Sequence, residues 1–382
     1  MRLFFRARNP GELASSLEFI DQFQYKQAMK VLIVKLSSMG DLIHTLPAIT
    51  DAARERPGIQ FDWVAEEAFS EIPRWHPAVH RVIQTATRRW KKNIRGAWTS
   101  GELKQFFSQL RAEPYDLIID AQSNLKSAVV TRLARGVRWG YDKESVCEKG
   151  AHFAYQKTVY VSRQCHAVDR LRYLFAKVLD YRVPQTPPTF GIEKKCFPAL
   201  SLSLPKEYVV FVPNTTWATK HWPDHHWRTL IQQTVQTGVA VVLPWHGEKE
   251  KARVERLAAG IEGAQVLPPL NLSSYLPLMQ QAQAIVSGDT GLGHLAASLN
   301  RPLITLYGPT DSALVGVVGP NSVCLSASFE CLKCYKKMCR YEHAPHTEAV
   351  CMQRLLPEQV WEVLEKKLSN ARAKTFTFSG EE

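Results

Sequence analysis

The chain of 382 residues has no apolar run close to the ~20 residues of a membrane-spanning helix. It also has no glycine fingerprint of the NAD-binding type, no P-loop and no serine nucleophile elbow. A pair of acids flanked by aromatic residues and the metal-anchoring Asp-x-Asp motif are absent too. The sequence therefore argues against dinucleotide, ATPase and hydrolase chemistry, and it predicts a reaction without a metal or a cofactor.

The N-terminal residues do not follow the order of a signal peptide, which is a basic start, an apolar stretch and a cleavage site. Acidic residues at Glu12, Glu18 and Asp21 interrupt this part of the chain. Met29 and Lys30 directly precede the first predicted strand. We therefore predict that residues 1–29 are an N-terminal extension outside the fold.

Eight cysteines in a chain of this length do not indicate a disulfide scaffold. Four of them lie near the C-terminus with two histidines between them, and the first pair has zinc-like spacing. A structural metal is one interpretation, and reduced thiols packing a C-terminal loop are the other. The residues concerned are Cys331, Cys334, Cys339, His343, His346 and Cys351.

The net charge of +12 suits an anionic partner, such as nucleic acid, a phosphorylated sugar or an acidic membrane surface. No helix-turn-helix, RNA-recognition or zinc-finger pattern accompanies it, so we expect no nucleic-acid partner. A solvated basic face is the alternative interpretation. The basic residues concentrate in the first half of the chain, at Arg88, Arg89, Lys91, Lys92, Arg95, Lys126, Arg132, Arg135 and Arg138.

Short apolar segments alternate with helical segments along most of the chain, which predicts an α/β fold with parallel sheets. A proline-rich stretch, 183–188, interrupts this alternation. We predict two Rossmann-like domains that face each other across a cleft, at 30–182 and 208–356, joined by a linker at 183–207. The C-terminal helix and tail, 357–382, are expected to cross back to the first domain. The predicted strands are 31–34, 61–64, 79–83, 117–120, 208–212, 239–243, 264–267, 284–286 and 303–307.

The segment from Val286 to His294 reads as a strand, a glycine turn and a helix start. In this geometry, backbone N–H groups at the helix N-terminus face an anion. Asp289 and Thr290 add a carboxylate and a hydroxyl at the carboxyl end of the strand, where open α/β sheets bind ligands.

The segment from Val31 to Ala48 repeats the same unit near the other end of the chain, with Gly40 and Asp41 in its turn. A carboxylate facing a cleft can act as general base on a hydroxyl. The competing interpretation of Asp41 is a cap of the following helix. His44, one turn along, fits a core or cap histidine better than a second base.

Two further strand ends carry polar residues. Thr215, Thr216 and Lys220 follow one strand, and their hydroxyls and ammonium group suit the oxygens of a diphosphate. Their spacing does not match a P-loop. Glu250 follows another strand, where a carboxylate can accept a hydrogen bond from a ribose.

With these residues in place, the chain resembles glycosyltransferase family 9, the bacterial lipopolysaccharide heptosyltransferases. The resemblance extends over nearly the whole chain from Lys30 onward. The segment 35–48, together with Arg88–Trp90, is most similar to the heptosyltransferase I branch. The segments that carry the resemblance are 35–48, 61–64, 120–122, 219–223 and 289–295.

The resemblance implies a two-domain GT-B fold and an inverting, metal-independent transfer. The donor would be ADP-L-glycero-D-manno-heptose and the acceptor Kdo on Kdo-lipid A. The enzyme would be cytoplasmic and peripheral at the inner membrane. Asp41 would be the catalytic base. The donor would bind Thr215, Thr216, Lys220, Glu250, Asp289, Thr290, Gly291, Leu292 and His294, and the acceptor Arg88, Arg89, Lys92, Gln122 and Lys126.

Two segments depart from the heptosyltransferase I pattern. The segment from Cys331 to Cys339 is more similar to the cysteine-bearing C-terminal parts of heptosyltransferases II and III, which leaves a heptose acceptor as an alternative. The segment 140–164 follows no recognisable pattern. A catalytically silent GT-B protein that binds nucleotide or anionic lipid is a further alternative.

Overall fold

A computed structural model describes residues 29–192, 197, 200–341 and 349–378, with the backbone alone for 372–378. The expected extension at 1–29 lies outside the described residues apart from Met29. Among the described helices, none combines the length and the hydrophobicity of a membrane-spanning segment.

The described strands form two parallel sheets of six strands each. The first sheet has the order β3-β2-β1-β4-β5-β6 and the second has the order β12-β11-β10-β7-β8-β9. The strands are β1 Lys30–Val34, β2 Gln60–Glu66, β3 Val79–Thr85, β4 Tyr115–Asp120, β5 Gly136–Tyr141, β6 Lys157–Val159, β7 Tyr208–Val212, β8 Ala240–Leu243, β9 Ala264–Val266, β10 Ala284–Gly288, β11 Leu303–Tyr307 and β12 Ser322–Ser326.

Helices connect the strands and cover the sheets, as parallel pairing requires. They are α1 Met39–Glu55, α2 Glu71–Arg74, α3 Thr87–Lys92, α4 Ile94–Thr99, α5 Glu102–Leu110, α6 Leu125–Leu133, α7 Ala167–Val178, α8 Asp224–Gln236, α9 Glu248–Ala258, α10 Tyr275–Gln281, α11 Gly291–Ser298, α12 Ser312–Val315, α13 Val350–Gln353 and α14 Pro357–Phe378.

Side chains alternate between the two faces of the first sheet. Val31 and Ile33 of β1 pack with α1 and α7, whereas Leu32 and Val34 pack with helices α3 to α6. The cluster on the α1 side continues into the second domain through α11. The two domains therefore share a hydrophobic contact beside the cleft.

The chain leaving the first domain stays attached to it. Arg172 of α7 forms a buried ion pair with Asp51 of α1, at 2.6 Å between Nε and Oδ2. The same guanidinium donates to the carbonyl oxygens of Pro184 and Thr186, both at 3.1 Å. The first part of the predicted linker is thus fixed against α7.

The predicted strands are present, and the sequence missed three others. The unrecognised segment 140–164 contains the end of β5, a short 3₁₀ helix at Ala151–Ala154 and β6. Strand β12 was also missed. The expectation that the C-terminal helix crosses to the first domain was wrong, because Val360 and Leu364 of α14 pack in the core of the second domain.

Candidate active site

The strand order of each sheet reverses between two neighbouring strands, β1 and β4 in the first and β7 and β10 in the second. Ligands of open α/β sheets bind at the carboxyl ends of strands beside such a reversal. The segments that follow these four strands carry Asp41, Gln122, Thr215 to Lys220, and Asp289 to His294. The fold thus brings the main sequence-predicted residues to the two switch points.

Asp41 is the third residue of α1 and forms a capping box with Ser38. The Ser38 N–H donates to Asp41 Oδ2 at 2.8 Å and the Ser38 hydroxyl to the same oxygen at 2.7 Å. Asp41 Oδ1 lies 3.9 Å from Nζ of the buried Lys35, and half of the Asp41 side chain is exposed. The helix cap therefore occupies one carboxylate oxygen, and the other faces an ammonium group and solvent.

Lys35 is a site residue to which the sequence analysis gave no role. Its ammonium donates to the Ala121 carbonyl at 3.0 Å, which ties the end of β1 to the end of β4. Gln122 makes a second tie, because its Oε1 accepts from the N–H of Leu36 at 2.5 Å and of Ser37 at 3.3 Å. Gln122 thus supports the turn that carries Asp41.

The carboxylate of Asp120 fixes the loop that carries Gln122. It is fully buried, and burial raises the pKa of its carboxyl group above the ordinary value. Four groups donate to it within 3 Å: the N–H groups of Gln122 and Ser123 and the hydroxyls of Ser127 and Tyr155. These bonds fix both the loop at Gln122 and the start of α6.

Lys220 and Asp289 form an ion pair across the second switch point, with 2.6 Å between Nζ and Oδ2. Thr310 also donates to Asp289 Oδ2 at 2.6 Å, and Lys220 Nζ lies 4.6 Å from the ring centre of Trp217. Both charged side chains are mostly buried. The structure thus holds the Lys220 ammonium group at the mouth of the second domain, in contact with a carboxylate and an aromatic ring.

The other residues predicted to bind the donor differ in how far their side chains are exposed. Thr215 is buried and its hydroxyl donates to the Trp217 carbonyl at 2.8 Å, so it shapes its own loop. Thr216 is exposed. Glu250 Oε2 accepts from the His246 N–H at 2.9 Å at the start of α9. Thr216 is therefore the threonine whose side chain faces solvent.

Thr290, Gly291 and Leu292 form the start of α11 and are partly exposed. Thr290 is the N-cap residue with extended backbone. The first N–H groups of a helix have no intrahelical acceptor. The start of α11 therefore offers backbone donors beside the ion pair of Lys220 and Asp289.

The starts of α1 and α11 face each other at close range, and two glycines make this approach possible. A Cβ on Gly40 would lie 2.7 Å from His294 Cδ2, and a Cβ on Gly291 would lie 2.7 Å from the Met39 side chain. The two domains thus contact each other at the two strand-turn-helix units that the sequence shows to be alike.

Three histidines lie together at this contact. His44 Nε2 is 3.0 Å from His294 Nδ1, and the His44 ring centre is 5.6 Å from that of His166. His166 Nε2 is 3.1 Å from the Gly316 carbonyl in the second domain. Burial lowers the pKa of all three imidazoles, so they are neutral near pH 7. Nothing in the local sequence pattern around His166 marks it as a site residue.

The basic residues predicted for the acceptor differ in how they are engaged. Arg88 is exposed, with its guanidinium 5.4 Å from the Phe69 ring. Arg89 forms ion pairs with Glu67 at 3.0 Å and Glu102 at 2.8 Å, and the pKa of Glu102 falls to about 2. Lys92 and Lys126 are exposed. Arg89 is thus already paired with carboxylates of its own domain.

The four C-terminal cysteines line one cavity of about 250 Å³ together with Thr219. All of them are reduced, and burial raises the pKa of Cys351 to about 11. Within the described residues, no group of three or more candidate ligands is placed to hold a metal ion. His343 and His346 lie outside the described residues.

Comparisons with known proteins agree with this arrangement. Residues 103–344 match the sequence profile of glycosyltransferase family 9 (heptosyltransferase). Lipopolysaccharide heptosyltransferase 1 of Pseudomonas aeruginosa is 45% identical over 350 residues, covering 89% of this chain and 98% of that protein. The protein of the same name from Escherichia coli K12 is 47% identical over 303 residues, covering 79% of this chain and 95% of that protein.

Solved structures of E. coli heptosyltransferase WaaC are also similar. The structure with ADP has a TM-score of 0.78 and 42% identity, and covers 89% of this chain and 100% of that one. The structure with ADP-2-deoxy-2-fluoro heptose has a TM-score of 0.74 and 42% identity, and covers 88% and 99%. These matches confirm the GT-B fold that the resemblance implied.

Proposed function

The chain belongs to glycosyltransferase family 9, and from this membership we propose that it is a lipopolysaccharide heptosyltransferase I. It transfers L-glycero-D-manno-heptose from ADP-heptose to Kdo of a Kdo-lipid A acceptor. The donor assignment is supported by the ADP and the ADP-heptose analogue bound to the similar E. coli enzyme.

One observation carries the chemistry: the Asp41 carboxylate lies at the start of α1, and the Lys220 ammonium group is paired with Asp289 beside the facing start of α11. Asp41 Oδ1 takes the proton of the acceptor hydroxyl while that oxygen forms a bond to the anomeric carbon. The bond from the anomeric carbon to the diphosphate oxygen breaks, and ADP leaves with the electron pair on the opposite face. The configuration at the anomeric carbon is therefore inverted.

Lys220 and the start of α11 bind the departing diphosphate. The ammonium group offsets the charge that develops on the leaving oxygen, and the backbone N–H groups at Thr290 and Gly291 donate hydrogen bonds to the phosphate oxygens. Asp289 and Trp217 hold Lys220 in place before the donor arrives. No step of this mechanism requires a metal.

The acceptor binds on the first domain. Arg88, Lys92 and Lys126 are exposed cations that suit its carboxylates and phosphates, and Gln122 supports the loop beside Asp41. Arg89 supports the acceptor site indirectly, because its guanidinium is already paired with Glu67 and Glu102. A lipid-borne acceptor places the enzyme at the cytoplasmic face of the inner membrane as a peripheral protein.

A heptose acceptor is the second candidate, and it rests on the resemblance of the sequence from Cys331 to Cys339 to heptosyltransferases II and III. The test is ADP release by the purified protein, given ADP-heptose and deacylated Kdo2-lipid A in the presence of EDTA. Release that depends on this acceptor supports the proposal and its metal independence. Release only with a heptosylated acceptor supports the second candidate, and no release with either indicates a catalytically silent protein.

A further inference from the structure

Helix α6 presents apolar side chains to solvent. Leu125 is 53% exposed and Val129 is 59% exposed. They are four residues apart and therefore lie on the same face of the helix, and Leu133 continues this stripe. The opposite face, with Ala128 and Val130, packs in the core. The helix is thus apolar on both faces, and its own domain covers one of them.

A second element extends the exposed apolar surface. The short helix Ala151–Ala154 packs against α6, and Leu125 Cδ2 lies 3.7 Å from where a Cβ of Gly150 would be. Phe153 of this short helix is 83% exposed. We call the surface formed by Leu125, Val129, Leu133 and Phe153 the docking face.

Cations surround the docking face. Lys126, Arg132 and Lys149 are exposed on or beside α6. Arg138 donates to the Ala154 carbonyl at 3.0 Å. Burial and the nearby charge of Arg132 both lower the pKa of Arg138. The acidic neighbour Glu148 accepts from the N–H of Leu125 at 2.8 Å and so caps the helix start. The charge around the exposed apolar residues is therefore mainly positive.

The docking face begins at the rim of the catalytic cleft. Helix α6 starts directly after Asn124, and Gln122 just before it binds the turn that leads to Asp41. An amphiphilic acceptor whose sugar reaches Asp41 would therefore leave its apolar part close to α6. This relationship distinguishes the face from a scattered set of exposed apolar residues.

We propose that the docking face binds an anionic lipid bilayer, with Leu125, Val129 and Phe153 inserted at the boundary between headgroups and acyl chains. Apolar side chains ringed by lysine and arginine fit such a surface, because burial and attraction to lipid phosphates add together. The inference rests on the proposed function for the lipid nature of the acceptor. It adds which surface meets the membrane and in which orientation.

The test is cosedimentation of the full-length protein with vesicles of phosphatidylglycerol and phosphatidylethanolamine, compared with phosphatidylcholine alone. The combined variant Leu125→Ser, Val129→Ser and Phe153→Ser is expected to bind the anionic vesicles at least tenfold more weakly. A matched control is Met338→Ser with Leu356→Ser, two exposed apolar residues of the second domain. The control should bind like the unchanged protein.

A second variant keeps the apolar residues and changes only charge. Arg132→Glu with Lys149→Glu should weaken binding to anionic vesicles and leave the weak binding to phosphatidylcholine unchanged. Thermal unfolding checks that both variants are folded. Normal vesicle binding by both folded variants would overturn the proposal, and it would leave another surface or a protein partner to explain the exposed residues.

Enzyme assays separate this inference from the proposed function. The triple serine variant should release ADP normally with the soluble, deacylated acceptor and more slowly with acceptor embedded in vesicles. If the unchanged protein turns over neither acceptor, the proposed function fails while the vesicle experiment still decides the docking face. Equal loss with both acceptors would show that α6 serves the cleft itself and would overturn the membrane role.

Discussion

His44 and His294 contact each other across the domain boundary, with 3.0 Å between Nε2 of the first and Nδ1 of the second. Their rings are nearly perpendicular and both are buried. A single proton can occupy the space between these two nitrogens. The neutral pair therefore links α1 to α11, the two helices that begin at the catalytic turns.

The first prediction is that stability falls in mild acid. Burial lowers the pKa of His44, His294 and His166 in the folded protein, so below about pH 6.5 the unfolded chain binds more protons. The unfolding free energy should then decrease by up to ~1.4 kcal/mol per pH unit for each histidine. Calorimetric unfolding temperatures between pH 7.5 and 5 measure this effect.

The variant His44→Gln should flatten this pH dependence, because it removes one of the titrating groups. The charged groups that act on the pair, Lys35, Asp41, Lys220 and Asp289, are the same in this variant, so the difference in slope reports the loss of His44. His80→Gln is the control, because His80 is exposed and lies outside the contact between the three histidines. An unchanged slope in His44→Gln would mean that other groups control acid stability.

The second prediction separates the two roles of Asp41. Asp41→Asn keeps an oxygen that can accept from the Ser38 N–H, but it loses the base. Transfer should fall by roughly 10²- to 10⁴-fold while the affinity for ADP-heptose stays nearly unchanged. Ser38→Ala weakens the cap and keeps the base, so it should cost little activity. If both variants lose activity equally, Asp41 acts as a helix cap alone.

The third prediction concerns the ion pair of Lys220 and Asp289. Lys220→Met leaves the buried Asp289 carboxylate without its cation, although the Thr310 hydroxyl still donates to it, and this should lower the unfolding free energy by about 3 kcal/mol. ADP should bind roughly 10- to 100-fold more weakly, because a charged contact to phosphate is lost. Chemical denaturation and calorimetric ADP titration measure the two effects.

Adding Asp289→Asn to Lys220→Met tests whether these effects are separate. The double variant should regain much of the stability, since no unpaired buried charge remains, while ADP affinity stays low. Lys220→Arg is the conservative control that keeps the charge. Unchanged ADP affinity in Lys220→Met would mean that the lysine serves only to neutralise Asp289.

The fourth prediction concerns the close approach of the two helices. Gly40→Ala would place a methyl group 2.7 Å from a His294 ring carbon, and overpacking of this kind costs about 1–3 kcal/mol. The helix propensity of alanine offsets up to ~1 kcal/mol of this. Unfolding temperature should fall in Gly40→Ala and recover in the double variant with His294→Ala. A rise in the single variant would show that the contact yields easily.

The fifth prediction compares two neighbouring arginines. Arg88→Ala should raise the KM for the acceptor about tenfold, since its exposed guanidinium is available to an anion. Arg89→Ala should change that KM less and stability more, because Arg89 joins Glu67 and Glu102. Steady-state kinetics at fixed ADP-heptose decide this. A larger KM effect for Arg89 would assign the acceptor contact to it instead.

The central strands of both sheets could be predicted from the sequence, whereas three strands nearer the edges, β5, β6 and β12, could not. Strands such as β1 and β7 are buried on both faces and form continuous apolar runs. Strand β12 lies at a sheet edge and is only partly buried, so serines replace part of the apolar pattern. Strand β5 contains two glycines and an arginine, which disguise it in the same way.

The turns of the site could be predicted because each follows from a short stretch of sequence. The residues that contact these turns could not be predicted. A strand followed by glycine and a helix is visible within ten residues, which is how Asp41 and Asp289 were found. The contacts of Lys35 with Ala121 and of His44 with His294 join residues far apart in the sequence. An amphipathic helix such as α14 shows that one face is buried, but not which surface covers it.

Both sheets have the same strand order relative to their own first strand, and under the proposed function the acceptor residues lie on the first domain and most of the donor residues on the second. Substitutions in one domain can therefore change its substrate preference while the other domain stays the same. A chimaera that joins the first half of a relative using another sugar acceptor to the second half of this chain should keep its nucleotide-sugar preference. The cleft therefore joins an acceptor specificity and a donor specificity that can change independently of each other.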